Sequence, residues 1–249
     1  MPSTALRPLH YLALLFLLAA LAATPGHADD ILGDDVNEDD SHDYNGLPKL
    51  RLALETGYSQ WMYNPDNVTS EYDDYLNTLE SGWDYSAEIA WFPWPKGGIG
   101  ANWIWFLSKA GGDGIKTDSV GATLHNIRER ASFVYYGPTF LSRLQFGRFG
   151  LLVGDFGAGL LYVNDTWTDN GKTYVVKAKT YAVVASLGWE YAFYRFVSMG
   201  VNARVLLSNV REYTFNGVKV KIPQPDDPHY WSNITMSRFE LNAGIRFGL

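Results

Sequence analysis

The sequence predicts an all-β chain: eight antiparallel strands in up-and-down order, closed into a barrel. Three observations predict it. Eight segments between residues 49 and 247 alternate apolar and polar residues with a period of two, the side-chain period of a strand. The connections between those segments alternate between short and long. Charge in the strand middles is confined to one of the two faces.

The N-terminus is read apart from the barrel. Arg7 and His10 precede the apolar run Tyr11 to Ala23, a helix breaker follows at Pro25, and Gly26 and Ala28 offer small residues for a signal peptidase. The run is short against the roughly twenty residues of a spanning helix. Residues 1–28 are therefore expected to be a signal peptide. Residues 29–46 are expected to be an acidic, flexible segment, and 47–249 the barrel domain. Asp29 to Asp43 carries eight acids and no Lys or Arg. Without those acids, and without Arg7, nineteen acids face nineteen bases, so the rest of the mature chain is neutral. A basic nucleic-acid footprint is absent. With no Cys, no disulfide framework holds the chain together.

The strands follow in order. The first, about 49–60, sets Leu50, Leu52, Leu54, Thr56 and Tyr58 against Arg51, Ala53, Glu55 and Gly57. The second, about 83–92, sets Trp83, Tyr85, Ala87, Ile89 and Trp91 against Asp84, Ser86, Glu88 and Ala90. In the third, about 99–108, Ile99, Ala101, Trp103, Trp105 and Leu107 oppose Gly100, Asn102, Ile104, Phe106 and Ser108. The fourth, about 127–140, alternates less cleanly: Ala131, Phe133 and Tyr135 against Arg128, Arg130, Ser132 and Tyr136. The fifth, about 150–163, has Phe156, Ala158, Leu160 and Tyr162 opposite Asp155, Gly157 and Gly159. The sixth, about 175–191, has Tyr181, Val183, Ala185, Leu187, Trp189 and Tyr191 opposite Ser186, Gly188 and Glu190. The seventh, about 196–208, has Val197, Met199, Val201, Ala203, Val205 and Leu207 opposite Ser198, Gly200, Asn202 and Arg204. The eighth, from Arg238 to Phe247, sets Phe239, Leu241, Ala243, Ile245 and Phe247 against Arg238, Glu240, Asn242, Gly244 and Arg246.

Connections after the second, fourth and sixth strands are short; the others cover about 61–82, 109–126, 164–174 and 209–233. Outer-membrane barrels alternate turns and loops in this way. The faces say which side meets lipid. One face carries Arg51, Glu55, Asp84, Glu88, Arg128, Arg130, Asp155, Glu190, Arg204, Arg238, Glu240 and Arg246. The other carries aromatic and aliphatic residues, an area far beyond the apolar patches that soluble monomers expose. With lipid outside, the charges pair in a polar lumen and glycines make room for the arginines. The prediction is thus a transmembrane β-barrel with a lipid-facing apolar exterior. Trp83, Trp91, Trp103, Trp105, Trp189, Tyr191 and Phe247 are expected on the membrane-facing girdle, and Trp61 is expected with the aromatics near strand ends.

"LALETGYSQW" from Leu52, "FVYYGPTF" from Phe133, "GDFGAGLLYV" from Gly154, "SLGWEYAF" from Ser186 and "FELNAGIRF" from Phe239 make the chain resemble the small eight-stranded outer-membrane barrels of the OmpA/OmpX type. The resemblance spans about 47–249. It implies residence in the outer membrane, contact with outer-membrane lipid, and handling by the barrel-insertion machinery.

Catalytic chemistry finds little to work with. The mature histidines are His42, His125 and His229, none set beside a Ser on neighbouring strand ends as a nucleophile–base pair requires. Asp226, Asp227 and His229 could face Asp73 and Asp74 across the rim, but three prolines mark that stretch as a turn. The glycines after Lys109 lack the Gly-Lys-Ser/Thr ending of a phosphate loop. No cofactor or metal is expected. An eight-stranded lumen is just wide enough to be filled by side chains. The expectation is a non-enzymatic, salt-bridged, closed barrel with a structural role or with loops that bind an extracellular ligand. A narrow channel for small solutes is the second reading, and a rim enzyme the third.

Overall fold

The computed structural model describes residues 47–62, 69–117, 123–146, 150–194, 196–222 and 234–248. The expected signal peptide and acidic segment lie outside them. Eight long strands form the barrel: β1 (Leu50–Trp61), β2 (Ser81–Trp91), β3 (Gly97–Gly112), β6 (Ile127–Phe146), β7 (Gly150–Asp169), β8 (Lys172–Tyr194), β9 (Val197–Val210) and β13 (Arg238–Gly248). Each pairs antiparallel with the next, and β1 pairs with both β2 and β13, which closes the sheet without a free edge. Closure satisfies the backbone polar groups that lipid cannot. Both ends of the barrel chain, at Leu50 and Gly248, lie with the short connections at one rim.

The other rim is more elaborate than eight strands require. Between β1 and β2 stands a helix, α1 (Ser70–Glu80). Thr69 caps it by accepting from the Tyr72 amide, and Glu71 and Asp73 place negative charge in its first turn. Its spacing puts Tyr75 and Leu79 on one buried face against β3. Short strands β4 (Ile115–Lys116) and β5 (Thr123–Leu124) pair with each other. A hairpin of β10 (Glu212–Phe215) and β11 (Val218–Lys221) extends the sheet beyond β8, and β12 (Ile234–Thr235) adds to β9.

Two connections expected as loops are strand. β7 and β8 run past the expected limits and meet at Asn170–Gly171, with φ of 46° and 78°. Asn216–Gly217, at 47° and 86°, turns β10 into β11 in the same way. Two left-handed residues in succession make the hairpin turn that matches strand twist, and Asn-Gly is the pair that adopts it at least cost. β6 and β7 each hold twenty residues. At about 3.4 Å per residue and a tilt near 45°, each rises roughly 48 Å, against an apolar band of about 25 Å. Half of this wall therefore stands above the membrane.

The exterior at membrane height is bare apolar surface. Ile89 is 61% exposed, Val201 56%, Leu241 57% and Phe140 68%. All seven girdle residues point outward: Trp83, Trp91, Trp103, Trp105, Trp189, Tyr191 and Phe247. Trp61 does not. It shares the inward register of Arg51 and Glu55, is half-buried, and donates from Nε1 to the Thr235 carbonyl at 2.7 Å.

Candidate functional site

The inward-pointing residues form three storeys. Next to the rim of short connections, Ala90, Phe92, Leu141 and Val153 make a small apolar cluster. Arg143 closes it: its guanidinium lies 4.1 Å from the Phe92 ring centroid and donates to the carbonyls of Pro95 and Pro48 at 2.8 and 2.7 Å. Sequence reading missed Arg143 because it assigned residues from Leu141 onward to a turn. The period of two that buries Phe133 and Tyr135, carried past Thr139, would have placed it inside.

The middle storey is ionic. Arg51 pairs with Glu88 and Glu190. Arg246 pairs with Glu55 and lies 3.4 Å from Glu190. Arg204 sits among three carboxylates, at 2.7 Å from Glu55, 3.1 Å from Glu240 and 3.6 Å from Asp84. Arg238 lies 3.4 Å from Glu240. Asp155 accepts from the Ser186 hydroxyl. Glu55 is the pivot, taking hydrogen bonds from Arg204, Arg246, Asn202 and Ser86. Small residues make the room: Arg246 donates to the carbonyls of Gly200 and Gly244 at 2.7 Å each. A Cβ on Gly244 would stand 2.1 Å from the Leu54 carbonyl oxygen. Arg204, Arg238, Arg246, Asp84, Glu190 and Glu240 are almost fully buried, so side chains fill the cross-section.

Ten of the twelve expected lumen charges meet here; Arg128 and Arg130 do not. Both lie on the outer face of β6, whose inward residues are Ala131, Phe133 and Tyr135. The expectation inverted this strand, and the cause is height. Above the bilayer the exterior is water, so charge belongs outside and apolar residues inside. The third storey is apolar, where a polar lumen was expected throughout. Ile104, Phe106, Phe133, Leu161, Val184 and Leu206 pack together beneath Leu79 of α1. Arg238 joins the two storeys, its guanidinium 4.7 Å from the Phe106 ring centroid and 5.1 Å from that of Phe133.

Above this packing the mouth holds a cavity of about 310 Å³. Trp61, Phe133, Trp167, Tyr213 and Phe215 supply rings to its wall, and Asp165 supplies the one ionisable carboxyl. Trp61 and Phe133 meet edge to face with centroids 5.5 Å apart, and Trp167, Tyr174 and Phe215 form a cluster at 5.5–5.9 Å. Beside the cavity, Asp165 and Glu129 are neighbours, and the Tyr75 hydroxyl donates to Glu129. Burial, reinforced by Glu129, pushes the Asp165 carboxyl up to about 8; burial raises Glu129 as well.

Asp226, Asp227 and His229 fall outside the described residues. His125 is exposed, 3.6 Å from Asp113. No cluster of three or more potential metal ligands occurs among the described residues.

No family model matches the sequence, and no curated protein matches it. Solved structures do. A major outer membrane protein from Thermus thermophilus aligns over 80% of this chain and 99% of its own, at 11% identity and a TM-score of 0.52. OprG from Pseudomonas aeruginosa aligns over 82% and 96%, at 10% identity and 0.48. Neisserial surface protein A aligns over 81% and 97%, at 10% identity and 0.43. At such identity the shared property is the fold.

Proposed function

We propose, for a chain with the fold of the outer-membrane β-barrels, that it is an integral outer-membrane protein with a closed lumen. Its work is binding at the outward mouth, and it is not an enzyme. The lipid is its standing partner. One observation carries this reading: the waist is filled by Arg204 and the three carboxylates around it, with apolar packing above and below. A pore for solutes needs a continuous wet path, and these side chains occupy it. The strands that rise above the bilayer build instead a second, outward-facing structure with its own helix and cavity. A folded mouth over a filled waist suits a receptor or attachment surface better than a conduit.

Single-channel recording in planar bilayers tests it. The wild-type protein is expected to show no resolvable conductance steps, and Arg204→Ala, which removes the side chain at the waist, is expected to show small ones. Discrete steps from the wild type would favour the narrow channel.

A further inference from the structure

We infer that the cavity in the outer mouth binds a small organic cation, an ammonium group carried on an apolar body. This rests on the mouth being the binding surface and names the chemistry that it accepts. The cavity, at about 310 Å³, is at the lower end of the range for small-molecule pockets and about twice a cavity that holds benzene. Its walls are five electron-rich rings with aliphatic residues between them, the environment that attracts a desolvated ammonium through the ring faces.

The second observation is charge. Asp165 opens into the cavity, and its Oδ1 is buried with no hydrogen-bond partner. The Asp165–Glu129 pair meets Tyr75 from α1, its cross-strand neighbours include Ala110 on β3, Trp167 on β7 and Val176 on β8, and Tyr213 from β10 shares the cavity wall. No Lys, Arg or His among the described residues forms an ion pair with either acid. Two half-buried carboxyls without a counter-ion, next to a ring-lined cavity, are complementary to one positive charge. A neutral apolar molecule would fill the space and leave the acids as they are.

The raised carboxyl of Asp165 gives the reaction its proton balance. Below about pH 8 the pair holds a proton that an entering cation displaces, so binding releases up to one proton and tightens as pH rises from 6 to 8.5.

The experiment is calorimetric titration of the protein in nanodiscs with benzyltrimethylammonium, and with its neutral isostere neopentylbenzene, after subtraction of empty nanodiscs. Saturable 1:1 binding of the cation is expected, with the isostere at least tenfold weaker. Asp165→Asn, which keeps the shape, is expected to weaken the cation at least tenfold and to abolish the pH dependence. Trp167→Leu is expected to weaken it with the pH dependence retained. A mobility shift on boiling checks that each variant is folded. Equal affinity for the isostere, an unaffected Asp165→Asn, or no saturable binding to folded wild type would each overturn the inference. A silent bilayer recording together with no cation binding removes this inference alone; a conducting wild type removes the reading beneath it.

Discussion

Arg204 is the residue on which the waist depends. It is buried among Glu55, Glu240 and Asp84, and its loss strands those three carboxylates in a space that water does not reach. Breaking a buried ion pair by deleting one partner costs about 3–5 kcal/mol. Arg204→Ala is accordingly expected to lower stability by that order, read from urea unfolding in liposomes. Arg128→Ala, on the outer face of β6, is expected to stay within about 0.5 kcal/mol of the wild type. The two arginines looked alike in the sequence, because alternation gives two faces but not their surroundings. On β13, Phe239, Leu241 and Ile245 mark the lipid side plainly against Arg238, Glu240 and Arg246. On β6, Phe133 and Tyr135 look equally lipophilic, yet they point into the lumen, and Val134 and Tyr136 take the outer face.

At the scale of elements, the outward rim hangs on α1. Thr69→Ala removes its cap and is expected to weaken the helix by about 1 kcal/mol, seen as faster amide exchange over 70–80 with the barrel strands unchanged. The Tyr75–Glu129–Asp165 contact ties the helix to the wall, and its titration has a definite sign. Asp165 binds its proton more tightly folded than unfolded. Its contribution is therefore most favourable at low pH and declines as pH rises from about 4 to about 8, where the folded group ionises. Exchange in α1, corrected for intrinsic rates, is expected to speed up across that window, and Asp165→Asn to flatten the response. The helix escaped sequence reading because Tyr72, Tyr75, Leu76 and Leu79 form a short apolar stripe within an acidic loop. Each Asn-Gly pair is a hairpin signal, but both stretches were expected as loops because the surrounding Thr, Lys and Asp residues resemble a solvated loop. Beyond the bilayer a strand need not be apolar on either face.

For the whole molecule, one chain solves two packing problems in succession. Through the bilayer it is inverted, with Trp, Leu and Val outside and ion pairs within. Above the bilayer it takes the arrangement of a soluble barrel, with Arg128 and Arg130 outside and Ile127 and Ala131 inside. The strand count, closure and lipid face were readable because period and charge repeat over eight segments. The mouth was not, since its cavity is assembled from β1, β6, β7, β8, β9, β10 and the residues about β12, and no local pattern records that meeting.

The lipid-facing surface is the claim on which all else rests, and the absence of native Cys makes it directly testable. Nitroxide labels placed singly at Ile89, Val201 and Leu241, with a control at Arg128, can be probed in liposomes by collision with oxygen and with a water-soluble nickel complex. The three strand positions are expected to collide readily with oxygen and hardly at all with nickel, and Arg128 to do the reverse. Nickel collisions at Ile89, Val201 and Leu241 would put that face in water and contradict the account.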